Sequence, residues 1–291
     1  MQLLSRLTLV ALVLVPVVAA GWGGRGHREM AQRTLDALSG DARKVFDPLR
    51  DQIVDAIMAP DISSSEVPGE RPRHYLDLEA LGLPLPDVTR EREAPDVSRS
   101  RRQALLATLR ERAPQHPREG TLPLALDEVY AGLVDALRRN DRATTVTLTA
   151  DLLHYLADAH QPLHATDAYD GLSSGGKGVH HAFETDLLDR CVQSRPEQAT
   201  RAPIQDETAA EVAMQALLES HTEAATVLAT DLGCRSPRPG AHAVCRGPVP
   251  TTRAREKLKC MPLSRLARER LELAAGRAAA LLTRAVEQSR R

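Results

Sequence analysis

The 291-residue chain is poor in aromatic side chains: Trp22, Phe46, Tyr75, Tyr130, Tyr155, Tyr169 and Phe183 are all it has. A core must therefore be built from Leu, Ala, Val and Ile, and the Leu and Ala share favours packed helices. Few rings are left for stacking the bases of single strands. Charge of one sign is also lacking, with 38 Lys and Arg against 39 Asp and Glu. No global basic field argues for nucleic acid, and no acidic excess argues for a cationic partner. There is no internal repeat and no convincing strand run. Several catalytic signatures are missing as well: no Gly-x-Ser-x-Gly, no Walker loop, and no Cys–His pairing in an activating context.

The first 21 residues read as a signal peptide. Arg6 supplies a short basic region, Leu7 to Val18 is an apolar run too short to span a bilayer, and Ala19, Ala20 and Gly21 are the small residues that follow. Removing this segment leaves 37 basic and 39 acidic residues, so the charge argument stands. The mature chain, residues 22–291, is expected to be secreted or periplasmic. Cys191, Cys234, Cys245 and Cys260 make an even count that permits two disulfides in an exported chain, with three pairings open. Their spacings are too wide for a Cys-x-x-Cys metal knuckle.

The expected architecture is all-α in a single domain. Met30, Ala31, Leu35 and Leu38 recur at helical spacing after His27, and Gly40 is a stop. Asp41 can cap a second helix, kinked at Pro48 and ended by Pro60. A Ser- and Pro-rich loop runs to Arg73, and residues 80–97 form a surface excursion. Helical patterns follow over 97–112, 124–139 and 143–159, with Asn140-Asp141 as turn and cap. A glycine-rich loop covers 165–179, a short helix 180–190 and a connector 192–205. A long Ala-rich helix covers 206–232, an irregular stretch 233–252, and a last helix capped by Ser264 presents a basic face.

The chemistry gathers in Leu152 to His164, LLHYLADAHQPLH. His154 and Asp158 are four apart, hence on one helical face. Pro162 ends the helix near Gln161 and leaves His164 free to turn back toward that face. His180 and Glu184 repeat the spacing. Zn²⁺ takes imidazole nitrogen and carboxylate oxygen, and a catalytic zinc leaves one position open for water. His164, His180 and Glu184 suffice for one three-ligand site and Asp61, His74 and His154 for a second. Asp158 lies between them as a bridge, with Asp51 and Asp55 as nearby competitors of Asp61.

The ordered set resembles the zinc-dependent phospholipase C / S1-P1 nuclease superfamily. Trp22 to His27 (WGGRGH) is similar to the opening of the nuclease branch. His154-Tyr-Leu-Ala-Asp158 followed by Gln161 to His164 matches the shared central motif, and Gly178 to Glu184 is closer to the phospholipase branch. Ala59-Pro60-Asp61 and His74 to Asp77 fit the remaining positions. The resemblance implies a phospholipase C/P1 nuclease-like helical fold and three zinc ions held by Trp22, His27, Asp61, His74, His154, Asp158, His164, His180 and Glu184. One ion would take Asp61, His74, His154 and the bridging Asp158. Another would take His164, His180 and Glu184, and the third the Trp22 terminus, His27 and Asp158. Signal cleavage after Gly21 would free the Trp22 amine for that last ion.

By the same resemblance Asp61 holds or deprotonates the attacking water, and Asp61 and Asp158 are the candidate catalytic residues. The implied activity is zinc-dependent hydrolysis of a phosphoester by metal-activated water. A phospholipid head group is favoured by Glu184 and by the absence of a basic surface. Single-stranded nucleic acid, with S1/P1-type endonuclease activity, is favoured by the Trp22 to His27 spacing. Asp77 occurs in both branches and decides little. No obligate protein partner is evident, and a monomer is expected. The reading from another class is a non-catalytic, zinc-stabilised exported protein.

Overall fold

A computed structural model describes residues 22–83, 99–170, 178–188, 204–229 and 253–291, the last stretch with side chains from residue 263 onward. The expected signal peptide, the cysteine side chains, His242, the glycines at 171–176 and the stretch 233–252 read as irregular lie outside the described residues. Within them the chain is helical, and its one β feature is an isolated antiparallel bridge between Leu76 and Gly120. No helix among them is long and apolar enough to cross a membrane.

The first helix, α1 (Gly24–Ala37), starts three residues earlier than the apolar pattern suggests, because its glycines are used for close packing. A Cβ at Gly26 would stand 2.8 Å from Leu188 Cδ1 and 3.0 Å from Trp22 Cβ. Next come α2 (Gly40–Phe46), a 3₁₀ turn at Asp47–Leu49 and α3 (Arg50–Ala56), the break falling at Pro48 as expected. The N-cap of α2 is Ser39, with Gly40 at φ +56°, rather than Asp41, which sits in the first turn. Pro60 does not terminate structure; it lies in the opening turn of α4 (Ala59–Ser63), where a missing N–H is no loss.

After 3₁₀ turns at Arg71–His74 and Leu78–Leu81 come α5 (Arg99–Arg112), α6 (Leu122–Arg138) and α7 (Arg142–Ala159). Asn140 takes φ +51°, and Asp141 Oδ1 accepts from Thr144 N at 3.1 Å, so the turn and cap stand as read. The last helices are α8 (Val179–His181), α9 (Ala209–Ala229) and α10 (Arg253–Ser289). Ser264 is not the cap of α10: the helix begins eleven residues earlier, and Ser264 is buried within it. Its basic residues are not one solvated face either, since Arg270 is 4% exposed.

The core is aliphatic, as the scarcity of aromatics required. Leu, Ala, Val and Ile fill it, with Trp22, Phe46 and Phe183 as its large rings. Helix α7 is central: every residue from Leu152 to Ala159 is buried, and α1, α3, α6, α9 and α10 pack around it. A helix buried all round can carry polar side chains only if they have partners within the protein or bind something.

Candidate metal centre

The buried end of α7 must satisfy its last carbonyls without water. Trp22 Nε1 donates to Ala157 O at 2.9 Å, and Ser220 Oγ of α9 donates to Ala159 O at 2.7 Å. Arg270 Nε of α10 reaches His160 O at 3.1 Å, and His160 Nδ1 returns to Leu156 O at 2.7 Å. Three segments, Trp22, α9 and α10, thus grip the turn that carries Asp158 and His164. Pro162 opens a 3₁₀ turn, Pro162–Ala165, and Gln161 Oε1 accepts from Leu163 N. This swings His164 back over the helix end, so that His164 Nδ1 lies 3.7 Å from Asp158 Oδ1.

The segment bearing His74 is laced to that turn. His164 Nδ1 donates to His74 O at 2.7 Å, and Leu76 N donates to His164 O at 2.9 Å. On its other side Asp77 N donates to Glu119 O at 2.8 Å, and Leu122 N to Tyr75 O at 3.2 Å. Gly120, at φ +92°, permits this approach: a Cβ there would fall 2.2 Å from Tyr75 O.

Eight of the nine proposed ligand residues bring their side chains together. Asp61 Oδ1 lies 3.5 Å from His74 Nδ1 and 3.4 Å from His154 Nε2. Asp158 Oδ2 lies 2.9 Å from that His74 nitrogen and 3.3 Å from that His154 nitrogen. The two ring nitrogens are 3.2 Å apart. In a second group His164 Nε2 and His180 Nε2 are 2.9 Å apart, and Glu184 Oε2 is 2.9 Å from His180 and 4.0 Å from His164. His27 Nε2 is 3.5 Å from Asp158 Oδ1, and its ring stacks on His154 at 3.9 Å. Trp22, the ninth, is fully buried with its indole against Phe183 at 5.5 Å. The competitors of Asp61 fall away, because Asp51 and Asp55 are exposed, and His181, next to His180, is exposed as well. Val179–His181 runs into a π-helical turn, Ala182–Asp186, rather than continuing as a plain α-helix, and this turn carries Glu184 inward. Single π turns are frequent at functional sites.

Tautomers follow from the partners. His154 Nδ1 faces Ile57 O at 2.8 Å and must carry the proton, as must His164 Nδ1 facing His74 O. Each Nε2 is then a lone pair turned into the cluster. Burial pushes His164 and His180 down to about 4. Burial, with the charges of Asp61 and Asp158, holds Glu184 well above the usual carboxylate range. Both nitrogens of His27, both oxygens of Asp61, Asp158 Oδ1 and Glu184 Oε1 are buried and lack a hydrogen-bond partner. Each such group costs about 1–3 kcal/mol unless something pairs with it. Lone pairs converging on common points, in imidazole–carboxylate sets, fit metal ions.

Motif reading missed the supports: Ser220, Glu219 and Arg270 for the end of α7, and Glu70 and Tyr155 beside His74. Tyr155 lies inside the central motif, but its hydroxyl partner, Glu70, is 85 residues away. Fold and site together define a mostly helical protein with buried His/Asp/Glu groups able to hold metal ions. No protein-family model matches the chain, and no curated protein matches it.

Proposed function

We propose that the chain is an exported, zinc-dependent phosphoester hydrolase of the phospholipase C / S1-P1 nuclease kind, with three zinc ions. The observation that carries this reading is that Asp61 Oδ1 and Asp158 Oδ2 each lie 2.9 to 3.5 Å from both His74 Nδ1 and His154 Nε2, which are themselves 3.2 Å apart. A tetrahedral zinc with ligands at about 2.1 Å needs them roughly 3.4 Å apart. His164, His180 and Glu184 form a second group with three protein ligands, the number that leaves a position for water. Zinc there would lower the pKa of water and offset charge building on a phosphoryl oxygen. Asp158 presents one oxygen to each side of the cluster, and Asp61, with both oxygens unpaired, is the group available to take a proton from water.

The substrate we favour is a phospholipid head group, on the strength of Glu184 and the even charge balance. One observation supports the nuclease alternative: Tyr169 is 46% exposed with its ring 5.7 Å from that of His180, a position from which it could stack on a base. The deciding experiment is a side-by-side assay of the processed protein on phosphatidylcholine and on single-stranded DNA, with and without chelator. Chelator-sensitive turnover restored by zinc supports the hydrolase. Zinc-dependent thermal stability with no turnover on either substrate favours the non-catalytic, zinc-stabilised reading.

A further inference from the structure

Of the imidazoles facing the four-ligand group, His154 has its outer nitrogen tied to a backbone carbonyl. His74 is different. Its Nδ1 points at Asp158, Asp61 and His154, while its Nε2 points away, buried, toward the carboxylate of Glu70. Glu70 Oε1 stands 3.5 Å from that nitrogen, which makes no direct hydrogen bond and has this carboxylate as its charged neighbour. The same Oε1 accepts from the Tyr155 hydroxyl. Arg73 Nε donates to the Tyr155 oxygen at 3.2 Å and lies 3.7 Å from Glu70 Oε2, while Arg73 Nη1 is held by Glu128 at 2.8 Å. The His74 ring is also wedged edge-on between His154 at 5.0 Å and Tyr155 at 5.4 Å. Its plane is therefore set by two rings, and the tilt of its outer nitrogen by one carboxylate.

We propose that Glu70, held in place by Tyr155, is the positioning residue for His74: its carboxylate accepts a hydrogen bond from Nε2–H, which leaves Nδ1 as the lone pair presented to the metal. The inference rests on the metal reading above. A carboxylate behind a ligating imidazole fixes the tautomer and makes the ring a stronger donor, and outer partners of this kind are worth about 10–100-fold in metal affinity. Tyr155 immobilises the carboxylate, and Arg73 offsets its charge from the side away from the metal. Glu70 touches neither substrate nor metal in this arrangement; it acts through His74.

The test uses the processed chain stripped of metal and titrated with zinc against a chromophoric chelator, alongside the visible spectrum of the cobalt-loaded protein. The wild type should bind several zinc ions; if it binds none, the metal reading fails before Glu70 is compared. Glu70→Ala should weaken one ion by about 10–100-fold, leave the others unchanged, and alter one component of the cobalt spectrum. The melting temperature of its metal-free form should match that of the wild type. Glu70→Gln keeps an acceptor oxygen and should recover most of the lost affinity. Tyr155→Phe keeps the ring and should lose about 3–10-fold at the same ion, which also covers the case in which Glu70→Ala does not fold. Wild-type zinc affinity in Glu70→Ala or in Tyr155→Phe overturns the proposal. So does an equal loss in Glu70→Ala and Glu70→Gln accompanied by a lower metal-free melting temperature, which would mark a merely structural role.

Discussion

Replacing Arg270 with Leu tests whether the buried end of α7 is held from behind. The guanidinium donates to His160 O at 3.1 Å, to Ala216 O and Ser220 Oγ at 2.9 Å, and to Glu219 Oε2 at 3.1 Å. Leucine fills much of the volume and makes none of these bonds. Breaking a buried ion pair costs about 3–5 kcal/mol. Glu219 keeps Arg277 and Gln215, so the low end, about 3 kcal/mol, is expected. At about 2–4 °C per kcal/mol for domains a little smaller than this one, the melting temperature should fall by about 6–12 °C.

The pH dependence carries a sign. Burial would raise Glu219, but hydrogen bonds and charge from Arg277 and Arg270 take it down to about 2. A carboxylate depressed in the folded state stabilises above its unfolded value, near 4.5, and loses that contribution as pH falls through its folded value. The groups facing Glu219 are Arg270, Arg277 and Gln215, with His160 beyond Arg277. Removing Arg270 lifts the Glu219 pKa, so less stability remains to be lost in acid. The gap between wild type and variant should be widest near neutrality and narrow between about pH 4.5 and 2. Denaturant unfolding of the metal-free proteins across that range measures it. A neutral-pH gap below about 1 kcal/mol, or one that widens in acid, would refute the clamp.

Other perturbations have equally definite outcomes. On the proposed zinc hydrolase reading, His164→Ala should leave the second group short of a ligand, releasing one zinc by elemental analysis and cutting any phosphoester hydrolysis at least about 100-fold; unchanged activity would remove the cluster from the catalytic centre. Gly120→Ala forces a Cβ to within 2.2 Å of Tyr75 O at φ +92°, so unfolding free energy should drop by about 3 kcal/mol or more, with weakened zinc binding as the His74 segment shifts. Trp22→Phe keeps a ring against Phe183 but removes the indole N–H from Ala157 O, at an expected cost of about 1–2 kcal/mol in thermal unfolding. Glu219→Gln should share the neutral-pH loss of the Arg270 variant, and the double variant should cost less than the sum, as coupled partners do.

What was legible in the sequence was what local rules govern. The i, i+4 pairs His154/Asp158 and His180/Glu184 follow from helical geometry. The return of His164 follows from Pro162, and the break near residue 48 from proline's missing N–H. The errors arose where the same rules admit two answers. Proline both ends helices and opens them, and Pro60 opens one. Serine caps helices and also sits inside them, as Ser264 does. An i, i+4 pair does not distinguish an α turn from the π turn that carries Glu184.

The supports were illegible for another reason. Arg270 and Glu219 are 51 residues apart, Tyr155 and Glu70 are 85 apart, and no spacing rule joins them. Yet the ligand motif implies that such groups exist. A helix buried from Leu152 to Ala159 must satisfy its final carbonyls from within the protein, and five clustered imidazoles need their outer nitrogens directed. A motif rich in metal ligands on a buried helix therefore calls for donors at the helix end and acceptors behind the rings. The donors are Trp22, Ser220 and Arg270. The acceptors are Ile57 O for His154 and His74 O for His164, and, on the inference above, the Glu70 carboxylate for His74. Of these acceptors, Glu70 is the one supplied by a side chain, so a substitution can remove it without breaking the backbone. It is therefore the point at which the tuning of this centre can be separated from its folding.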